Sequence, residues 1–289
     1  MNFLITGADG QLGRLLTGTL AEYGGVVSCG RADLDITNAA QVSEVIGRAR
    51  PSVVLNCAAF TDVDAAEDQQ QRAFDINAMA VRTLARAARE AGAVLVHYST
   101  DFVFDGNASR PYSELDPPAP RSAYAASKLV GEWMAEDAAR WYVLRVESLF
   151  GIAHTPGSMR VGSIDRIISA IERREPARVF RDRVVSPSYL PDVAAATHSL
   201  ISRDVPSGTY HVVNTGYCTW YELARHVADI IGGGEQLVPV DFAATSMKAA
   251  RPRFAALDNS RLAAAGYVMP TWQDALDRYL SFRQRSATS

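Results

Sequence analysis

The stretch Phe3-Leu-Ile-Thr-Gly-Ala-Asp-Gly-Gln-Leu-Gly13 decides the fold of this chain. An apolar strand pattern is followed at once by glycines at positions 7, 10 and 13, and then by a helix pattern. Glycine permits a tight turn and lets the backbone approach a pyrophosphate, which free N–H groups at a helix amino end also attract. In this strand-turn-helix setting, Gly7, Gly10 and Gly13 favour a dinucleotide cofactor site over an ordinary turn.

Short apolar strands alternate with helix patterns from this turn to about residue 146. Strands are predicted over 3–6, 26–28, 53–56, 94–99 and 142–146, and helices over 11–23, 38–48, about 70–91, and around Tyr124. Strands that are apolar on both sides indicate a parallel sheet with helices on both faces. The sequence therefore predicts an α/β fold with a Rossmann-type doubly wound parallel sheet.

The regular alternation stops beyond Gly151, where helices are predicted over 164–173 and 220–231. We predict an NAD(P)-binding Rossmann domain over residues 1–150 and a smaller, mainly substrate-binding C-terminal lobe over residues 151–289. A segment at about 177–203 could return to pack on the sheet, so the boundary between the Rossmann domain and the C-terminal lobe stays open.

Composition argues against several functions. The 289 residues carry a net charge of -3, and the 29 basic residues are scattered, so nucleic acid is not an expected partner. The three cysteines and five histidines lack metal-ligand spacing, so no metal site is expected. No apolar run approaches the roughly 20 residues that span a bilayer, and a strand from Asn2 leaves no room for a signal peptide, so we expect a cytoplasmic protein without a membrane partner.

Tyr124 and Lys128 lie four residues apart on a predicted helix, and hence on one face of it. An ammonium beside the phenol would favour its ionisation and make the tyrosine a usable proton donor near neutral pH. Thr100 follows the fourth strand, at the sheet edge where ligands bind, and its hydroxyl could bond a substrate carbonyl or simply cap a turn. With a nicotinamide cofactor, Thr100, Tyr124 and Lys128 predict carbonyl and alcohol redox chemistry.

The residues after strands two and three suggest further cofactor contacts. NAD-preferring folds place an acidic residue at the end of strand two, and this chain has none there. Arg31 at this position could meet a 2′-phosphate or be a solvated loop residue. NADP(H) is therefore favoured only slightly over NAD(H). Asp35 could edge the adenine or belong to a turn, and the small Ala58 and Ala59 could lie against the cofactor or pack in the core.

Several motifs together resemble a known family. They are Gly7-x-x-Gly10-x-x-Gly13, Tyr124-x-x-x-Lys128 and the run His97-Tyr-Ser-Thr-Asp-Phe-Val-Phe-Asp-Gly106. In these the chain is similar to the extended short-chain dehydrogenase/reductases, and more narrowly to the dTDP-4-dehydrorhamnose reductase branch. The similarity covers nearly the whole chain.

The resemblance implies that NAD(P)H reduces the C4 ketone of a nucleotide-activated deoxyhexose, the expected partner, while Tyr124 acts as general acid. Lys128 would orient the cofactor and tune the tyrosine, and Thr100 would polarise the ketone. The implied cofactor contacts are Gly10, Gln11 and Leu12 at the pyrophosphate, Asp35 and Ile36 at the adenosine, and Ala59, Phe60, Thr61 and Tyr98 at the centre. Thr100 and Asp101 would contact the sugar, and the protein could form a homodimer.

The chain departs from this family after strand five. The reductases usually carry Arg-Thr-Ser-Trp, with the tryptophan against the sugar, where this chain has Arg145-Val-Glu-Ser148. We assign Glu147 and Ser148 to the substrate site, with Glu147 either accepting from a sugar hydroxyl or pairing with Arg145. The usual Asn-Phe pair is also missing from the loop at 157–163. Arg251 could bind a diphosphate or form a surface salt bridge.

Two other functions remain open. One is an epimerase or dehydratase of the same superfamily, although dehydratases usually carry Asp-Glu after the threonine and here Phe102 follows Asp101. The other is a non-catalytic, nucleotide-binding regulatory subunit. The intact Tyr124 and Lys128 argue against the regulatory role.

Overall fold

The computed structural model describes residues 1–151 and 162–287. Strands and helices alternate through its first half, as the sequence predicts. The strands are β1 Asn2–Thr6, β2 Gly25–Cys29, β3 Val53–Asn56, β4 Val94–Thr100 and β5 Arg140–Val146. The helices are α1 Gln11–Leu20, α2 Ala39–Ala49, α3 Val63–Asp68, α4 Gln70–Phe74, α5 Ala80–Glu90 and α6 Ala123–Ala135.

The second half is built from shorter strands. They are β6 Leu149–Phe150, β7 Ala177–Phe180, β8 Val184–Val185, β9 Ser188–Tyr189, β10 Gly208–His211, β11 Cys218–Thr219 and β12 Leu237–Val240. The helices are α7 Ser163–Glu172, α8 Leu190–Ser202, α9 Trp220–Ile231, α10 Ser260–Ala264 and α11 Trp272–Ala287. Three two-stranded sheets pair β6 with β9, β7 with β12, and β8 with β11.

Six parallel strands form the central sheet, in the order β10-β5-β4-β3-β1-β2. Apolar side chains from its strands pack on both faces, with Phe3 and Ile5 in one core cluster and Leu4 and Val54 in another. The predicted α/β class with a doubly wound parallel sheet is therefore confirmed. The strand order reverses between β1 and β3, which is where such sheets bind ligands at their carboxyl ends.

Residues from the second half complete this sheet. Strand β10 pairs with β5, and Val193 on α8 belongs to the same core cluster as Phe3 of β1. Helix α8, which lies in the segment 177–203, packs on the central sheet. Strand β7 belongs to the same segment but pairs with β12 in a separate two-stranded sheet. The division of the chain at residue 150 stays a prediction.

The helix predicted over 70–91 is interrupted by a π-helical turn, Asp75–Met79. This turn carries Asn77, whose buried side chain accepts from the N–H of Phe60 at 2.8 Å and donates to the Ser127 hydroxyl at 2.9 Å. Helix α6 crosses close by, because a Cβ on Gly131 would lie 2.0 Å from the Asn77 carbonyl oxygen. Only glycine allows this approach of α6.

Among the residues that the structure describes, no helix has the length and apolar character needed to cross a membrane.

We expect Gly131→Ala to lower the free energy of unfolding by about 1–3 kcal/mol, because the added methyl forces backbone atoms apart. The control is Gly47→Ala on α2, where a Cβ meets nothing within 4 Å. That change should raise stability by about 0.5–1 kcal/mol. Urea unfolding measures both, and equal effects of the two changes would contradict the close approach of α6.

Candidate active site

The glycine turn joins β1 to α1 and lies against the residues that follow β3. Gly7 has a φ of +66°, and a Cβ there would lie 2.5 Å from the backbone nitrogen of Ala58. Gly10 precedes α1 and no side chain caps this helix. The amino end of α1 can therefore offer its N–H groups to an anion, as a dinucleotide pyrophosphate requires.

Two clefts of about 810 and 580 Å³ run from this turn. Both are lined by Gly10, Ala58, Ala59 and Thr61, so they are two ends of one groove. The larger end also contains Gly7, Arg31, Asp35 and Ile36, and the smaller end also contains Gln11, Leu12, Gly13, Tyr98, Tyr124, Lys128 and Ser148. Of the predicted cofactor residues, only Phe60 is absent from the lining. Their roles stay predictions.

The charged residues at the larger end differ in their surroundings. Asp35 accepts from the N–H and the hydroxyl of Thr37 at 3.0 and 2.7 Å, which lowers its pKa and makes it a turn residue that also lines the groove. The backbone N–H of Arg31 donates to Asp9 at 3.1 Å. Arg31 lines the larger end of the groove and forms no salt bridge with any of residues 1–151 and 162–287, although its charge helps to lower the pKa of Asp35.

The predicted catalytic residues come from β4 and α6. Thr100 ends β4, while Tyr124 and Lys128 stand one turn apart near the start of α6. That start is held by Ser122, whose side chain accepts from the N–H of Ala125, and by Glu67, which accepts from the N–H of Ala123 at 2.9 Å. The caps place Tyr124 beside the end of β4.

Lys128 is buried at the junction of α6 and β4. Its Nζ donates to the carbonyl of Tyr98 at 2.5 Å and lies 3.3 Å from Nε2 of His97. Burial lowers the pKa of Lys128 to about 8, while the nearby Glu132 carboxylate acts to raise it. Desolvation thus brings the ammonium near its titration point at neutral pH.

The Tyr124 phenol keeps its proton in this structure. Burial raises its pKa, the Asp101 charge raises it further, and a hydrogen bond with Thr100 lowers it in part. The pKa of Tyr124 is therefore raised overall, and the expected tuning of Tyr124 by Lys128 stays a prediction. A neutral phenol is the form that a general acid needs before reaction.

Two buried carboxyl groups lie on the other side of Thr100. The Thr100 hydroxyl donates to Oδ1 of Asp101 at 2.9 Å, and burial raises the pKa of Asp101 to about 7. Glu147 accepts from the N–H of Ser186 at 2.6 Å, and its pKa is raised well above its usual range by burial and then by Asp101. Arg183 is the cation that acts on both carboxyls.

The alternative that Glu147 pairs with Arg145 is wrong. The Arg145 guanidinium pairs with Glu132 on α6, at 2.9 Å from Nε and 2.7 Å from Nη2. Strand β5 ends at Val146, and Ser148 after Glu147 adopts a φ of +46°, so Glu147 lies where the chain leaves the strand. Glu147 therefore faces Asp101 and Ser186 rather than α6.

Sequence reasoning missed the polar network behind Lys128. Glu132 also accepts from the Ser99 hydroxyl at 2.5 Å, and His97 contacts Asn56 through Nδ1 at 3.1 Å. Burial lowers the pKa of His97, so this ring is neutral. A signal was present in the spacing, because Glu132 lies four residues beyond Lys128 and thus on the face of α6 that carries the catalytic residues.

Arg251 forms a salt bridge, which is the second of the two roles expected for it. Its guanidinium donates to both oxygens of Asp64 at 3.0 and 2.7 Å, and these hydrogen bonds lower the pKa of Asp64 to about 2. Neither end of the groove contains Arg251 in its lining, so a diphosphate role stays a prediction. In the loop that lacks the Asn-Phe pair, positions 157–161 lie outside the described residues.

Residues 1–284 match the family described as RmlD substrate binding domain. The chain belongs to this family. The dTDP-4-dehydrorhamnose reductase of Streptomyces griseus is 37% identical over 283 residues, which are 95% of this chain and 91% of the relative. A probable dTDP-4,6-dihydroxy-2-methyloxan-3-one 4-ketoreductase of Streptomyces antibioticus is also 37% identical, over 96% of this chain and 93% of its own.

A solved structure shares the fold of this RmlD-family chain. The dTDP-4-dehydrorhamnose reductase of Bacillus anthracis, in complex with NADP, superposes with a TM-score of 0.89 at 34% identity, over 96% of this chain and 98% of that chain. The resemblance inferred from the motifs is therefore confirmed, and so is the class of NAD(P)-dependent oxidoreductase.

We expect Glu132→Ala to lower the free energy of unfolding of this RmlD-family protein by about 3–5 kcal/mol, because Arg145 would be left buried without its partner. The control is Glu44→Ala, which breaks an exposed pair with Arg48 and should change stability by about 0.5 kcal/mol or less. Urea unfolding at neutral pH measures both. A small effect at Glu132 would show that its ion pair does not hold α6.

The lowered pKa of Lys128 predicts a dependence of stability on pH. The ordinary lysine pKa is 10.5 and the folded value is about 8, so the unfolded chain binds more protons between these values. Burying the charged form costs stability below about pH 8, and this cost disappears as pH rises towards 10.5. The difference in the free energy of unfolding between Lys128→Met and the native protein should therefore fall by about 3 kcal/mol, in favour of the native protein, between neutral pH and pH 10.5.

The control is Lys248→Met, because Lys248 is half exposed and pairs with Asp68 at the surface. Denaturant unfolding at the two pH values gives both differences. An equal pH response of the two variants would rule out the lowered pKa of Lys128.

Proposed function

We propose that this protein reduces the C4 ketone of a nucleotide-activated 6-deoxy-4-keto sugar with NAD(P)H, and that Tyr124 is the general acid. The observation that carries the proposal is the placement of Tyr124 and Lys128 in the same groove as the glycine turn. The Thr100 hydroxyl lies close enough to Tyr124 to lower its pKa in part. A cofactor at the turn and a carbonyl at these hydroxyls would then be adjacent.

The residues of the groove fit a nicotinamide dinucleotide. The uncapped end of α1 suits the pyrophosphate, and Arg31 in the groove lining suits a 2′-phosphate. When bound, the cofactor supplies the hydride that adds to the carbonyl carbon. NADP is the cofactor in the solved Bacillus anthracis relative, which supports NADPH as the first choice for tests.

The chain's own groups would handle the proton and the developing charge. As negative charge grows on the carbonyl oxygen, the Tyr124 hydroxyl gives it a proton and the Thr100 hydroxyl donates a hydrogen bond. The Lys128 ammonium lies one helical turn away and would stabilise the phenolate that remains. Its bond to the Tyr98 carbonyl holds it in place until the cofactor ribose is available.

The sugar is the less determined part of the substrate. Two relatives of this protein carry the names of enzymes that act on dTDP-linked sugars, one of which is dTDP-4-dehydrorhamnose. Ser148 lines the groove where rhamnose reductases usually carry tryptophan, so the wall beside the sugar is smaller and more polar. We propose a dTDP-linked 4-keto-6-deoxyhexose, with dTDP-4-dehydrorhamnose as the first to test. The homodimer and the cytoplasmic location stay predictions.

We expect Tyr124→Phe to lower kcat by about 10²–10⁴-fold, the usual contribution of a general acid, while NADPH binding is retained. The measurement is oxidation of NADPH with dTDP-4-dehydrorhamnose and related 4-keto sugars. The control is Tyr23→Phe, which alters an exposed tyrosine away from the groove. An active Tyr124→Phe protein would exclude this role, and turnover of sugar without net NADPH loss would favour an epimerase or dehydratase.

A further inference from the structure

His97 is a fully buried histidine of β4 that contacts side chains from two neighbouring elements. Its Nδ1 lies 3.1 Å from Nδ2 of Asn56, the last residue of β3. Its Nε2 lies 3.3 Å from Nζ of Lys128 on α6. The ring therefore connects the end of β3 to the lysine that lines the groove.

The side-chain amide of Asn56 has its orientation fixed by two donors. Its Oδ1 accepts from the hydroxyl of Thr6 at 2.7 Å and from the backbone N–H of Ala58 at 3.3 Å. A backbone N–H cannot accept, so turning the amide over would place its NH₂ group against another donor. The oxygen of Asn56 therefore faces Thr6 and Ala58, and its nitrogen faces His97 and can only donate.

This donor selects one tautomer of the His97 ring. Nδ1 accepts from Asn56 and so carries no hydrogen. Burial lowers the pKa of His97, so the ring is neutral and has a single N–H group. That hydrogen is therefore on Nε2, the nitrogen that faces Nζ of Lys128.

The Nε2–H group favours one charge state of Lys128. An ammonium has three donors and no lone pair, so it would place a second donor 3.3 Å from the ring nitrogen. A neutral amine has a lone pair that accepts from Nε2–H, while one of its own hydrogens still bonds to the Tyr98 carbonyl at 2.5 Å. This contact acts in the same direction as the burial that lowers the pKa of Lys128.

We propose that His97 is a positioning residue that holds Lys128 as a neutral amine in the cofactor-free protein, and that NADPH binding converts this amine to an ammonium. The inference rests on the proposed function, in which Lys128 orients the cofactor. The cofactor phosphates bring negative charge to a groove that Lys128 lines, and a ribose offers hydroxyl oxygens as acceptors. The proton comes from solvent and forms a new N–H bond on Nζ.

The other titratable groups around Lys128 keep their protonation states near pH 9. They are Cys57 after β3, His97 and Tyr98 on β4, and Tyr124 and Glu132 on α6. Burial raises the pKa of the thiol and of both phenols, so these groups keep their protons. Glu132 is held in its ion pair with Arg145. The 2′-phosphate of NADPH, with a second pKa of about 6, is fully ionised at this pH. Proton uptake near pH 9 therefore reports Lys128.

The tautomer is tested on the cofactor-free protein, labelled with ¹⁵N-histidine. Two-bond ¹H–¹⁵N spectra distinguish a protonated ring nitrogen from an unprotonated one, and His97→Gln identifies the His97 signals by their loss. We expect a hydrogen on Nε2 and none on Nδ1. The same signals should shift as Lys128 titrates, and this shift should be absent from Lys128→Met. A hydrogen on Nδ1 would overturn the inference.

Proton uptake is tested by calorimetric titration with NADPH at about pH 9, in two buffers of different ionisation enthalpy. The difference in heat between the buffers gives the number of protons taken up. The native protein should take up about one proton per site, because this pH lies between the lowered pKa of Lys128 and the ordinary lysine value of 10.5. His97→Gln should take up less than half as much, because the glutamine oxygen can turn towards the ammonium and accept from it.

Asn56→Asp provides a second variant, should His97→Gln fail to fold. The carboxylate has nearly the shape of the amide, but it accepts from Nδ1 of His97 and so moves the ring hydrogen away from Nε2. Nε2 then accepts from the ammonium, and proton uptake should fall as in His97→Gln. The control is His198→Gln on α8, because His198 contacts Ser202 and does not line the groove. It should leave proton uptake unchanged.

Unchanged proton uptake in both variants would overturn the role of His97, as would a native protein that binds NADPH without proton uptake. A native protein that does not bind NADPH would instead refute the cofactor role in the proposed function. In that case the tautomer of His97 would still decide whether the ring holds Lys128 as an amine.

Discussion

The carboxylate of Glu132 is buried where α6 crosses β4 and β5, and it bonds there to the Arg145 guanidinium and the Ser99 hydroxyl. These contacts hold the helix at the carboxyl end of the sheet. Gly131 beside it lets α6 approach the π-helical turn at Asn77. Because Tyr124 and Lys128 extend from the same helix, the position of both proposed catalytic groups depends on this junction.

The junction also separates two electrostatic environments around the reacting site. On one side Lys128 lies against the neutral His97 and donates to the Tyr98 carbonyl. On the other side the Thr100 hydroxyl donates to Asp101, a buried acid whose pKa burial raises to about 7. Tyr124 stands between them with its own proton in place. A site of this kind would suit the proposed general acid, because the raised pKa keeps the phenol protonated before reaction.

Local patterns predicted much of this arrangement. The glycine turn and the apolar strands are read from short stretches, because strand periodicity and glycine spacing do not depend on the rest of the chain. Of the two roles left open for Glu147, pairing with Arg145 does not occur, because Arg145 pairs with Glu132. The turn at Ser148 and the acid on α6 set the outcome, and neither is visible in that stretch. The raised pKa of Tyr124 was missed for a similar reason, because it follows from burial by residues distant in the chain.

The sequence by itself determined the class of fold, the cofactor turn and the family, because these rest on residues at fixed spacing and on one continuous alternation of strands and helices. Only the tertiary structure decided which charged groups meet. Glu132 with Arg145, Asp64 with Arg251, and Asp101 with Glu147 and Arg183 each join residues from separate elements. The protonation of a buried group follows from its desolvation and its neighbours in space. The raised pKa values of Tyr124 and Asp101 therefore became visible only once the chain was folded.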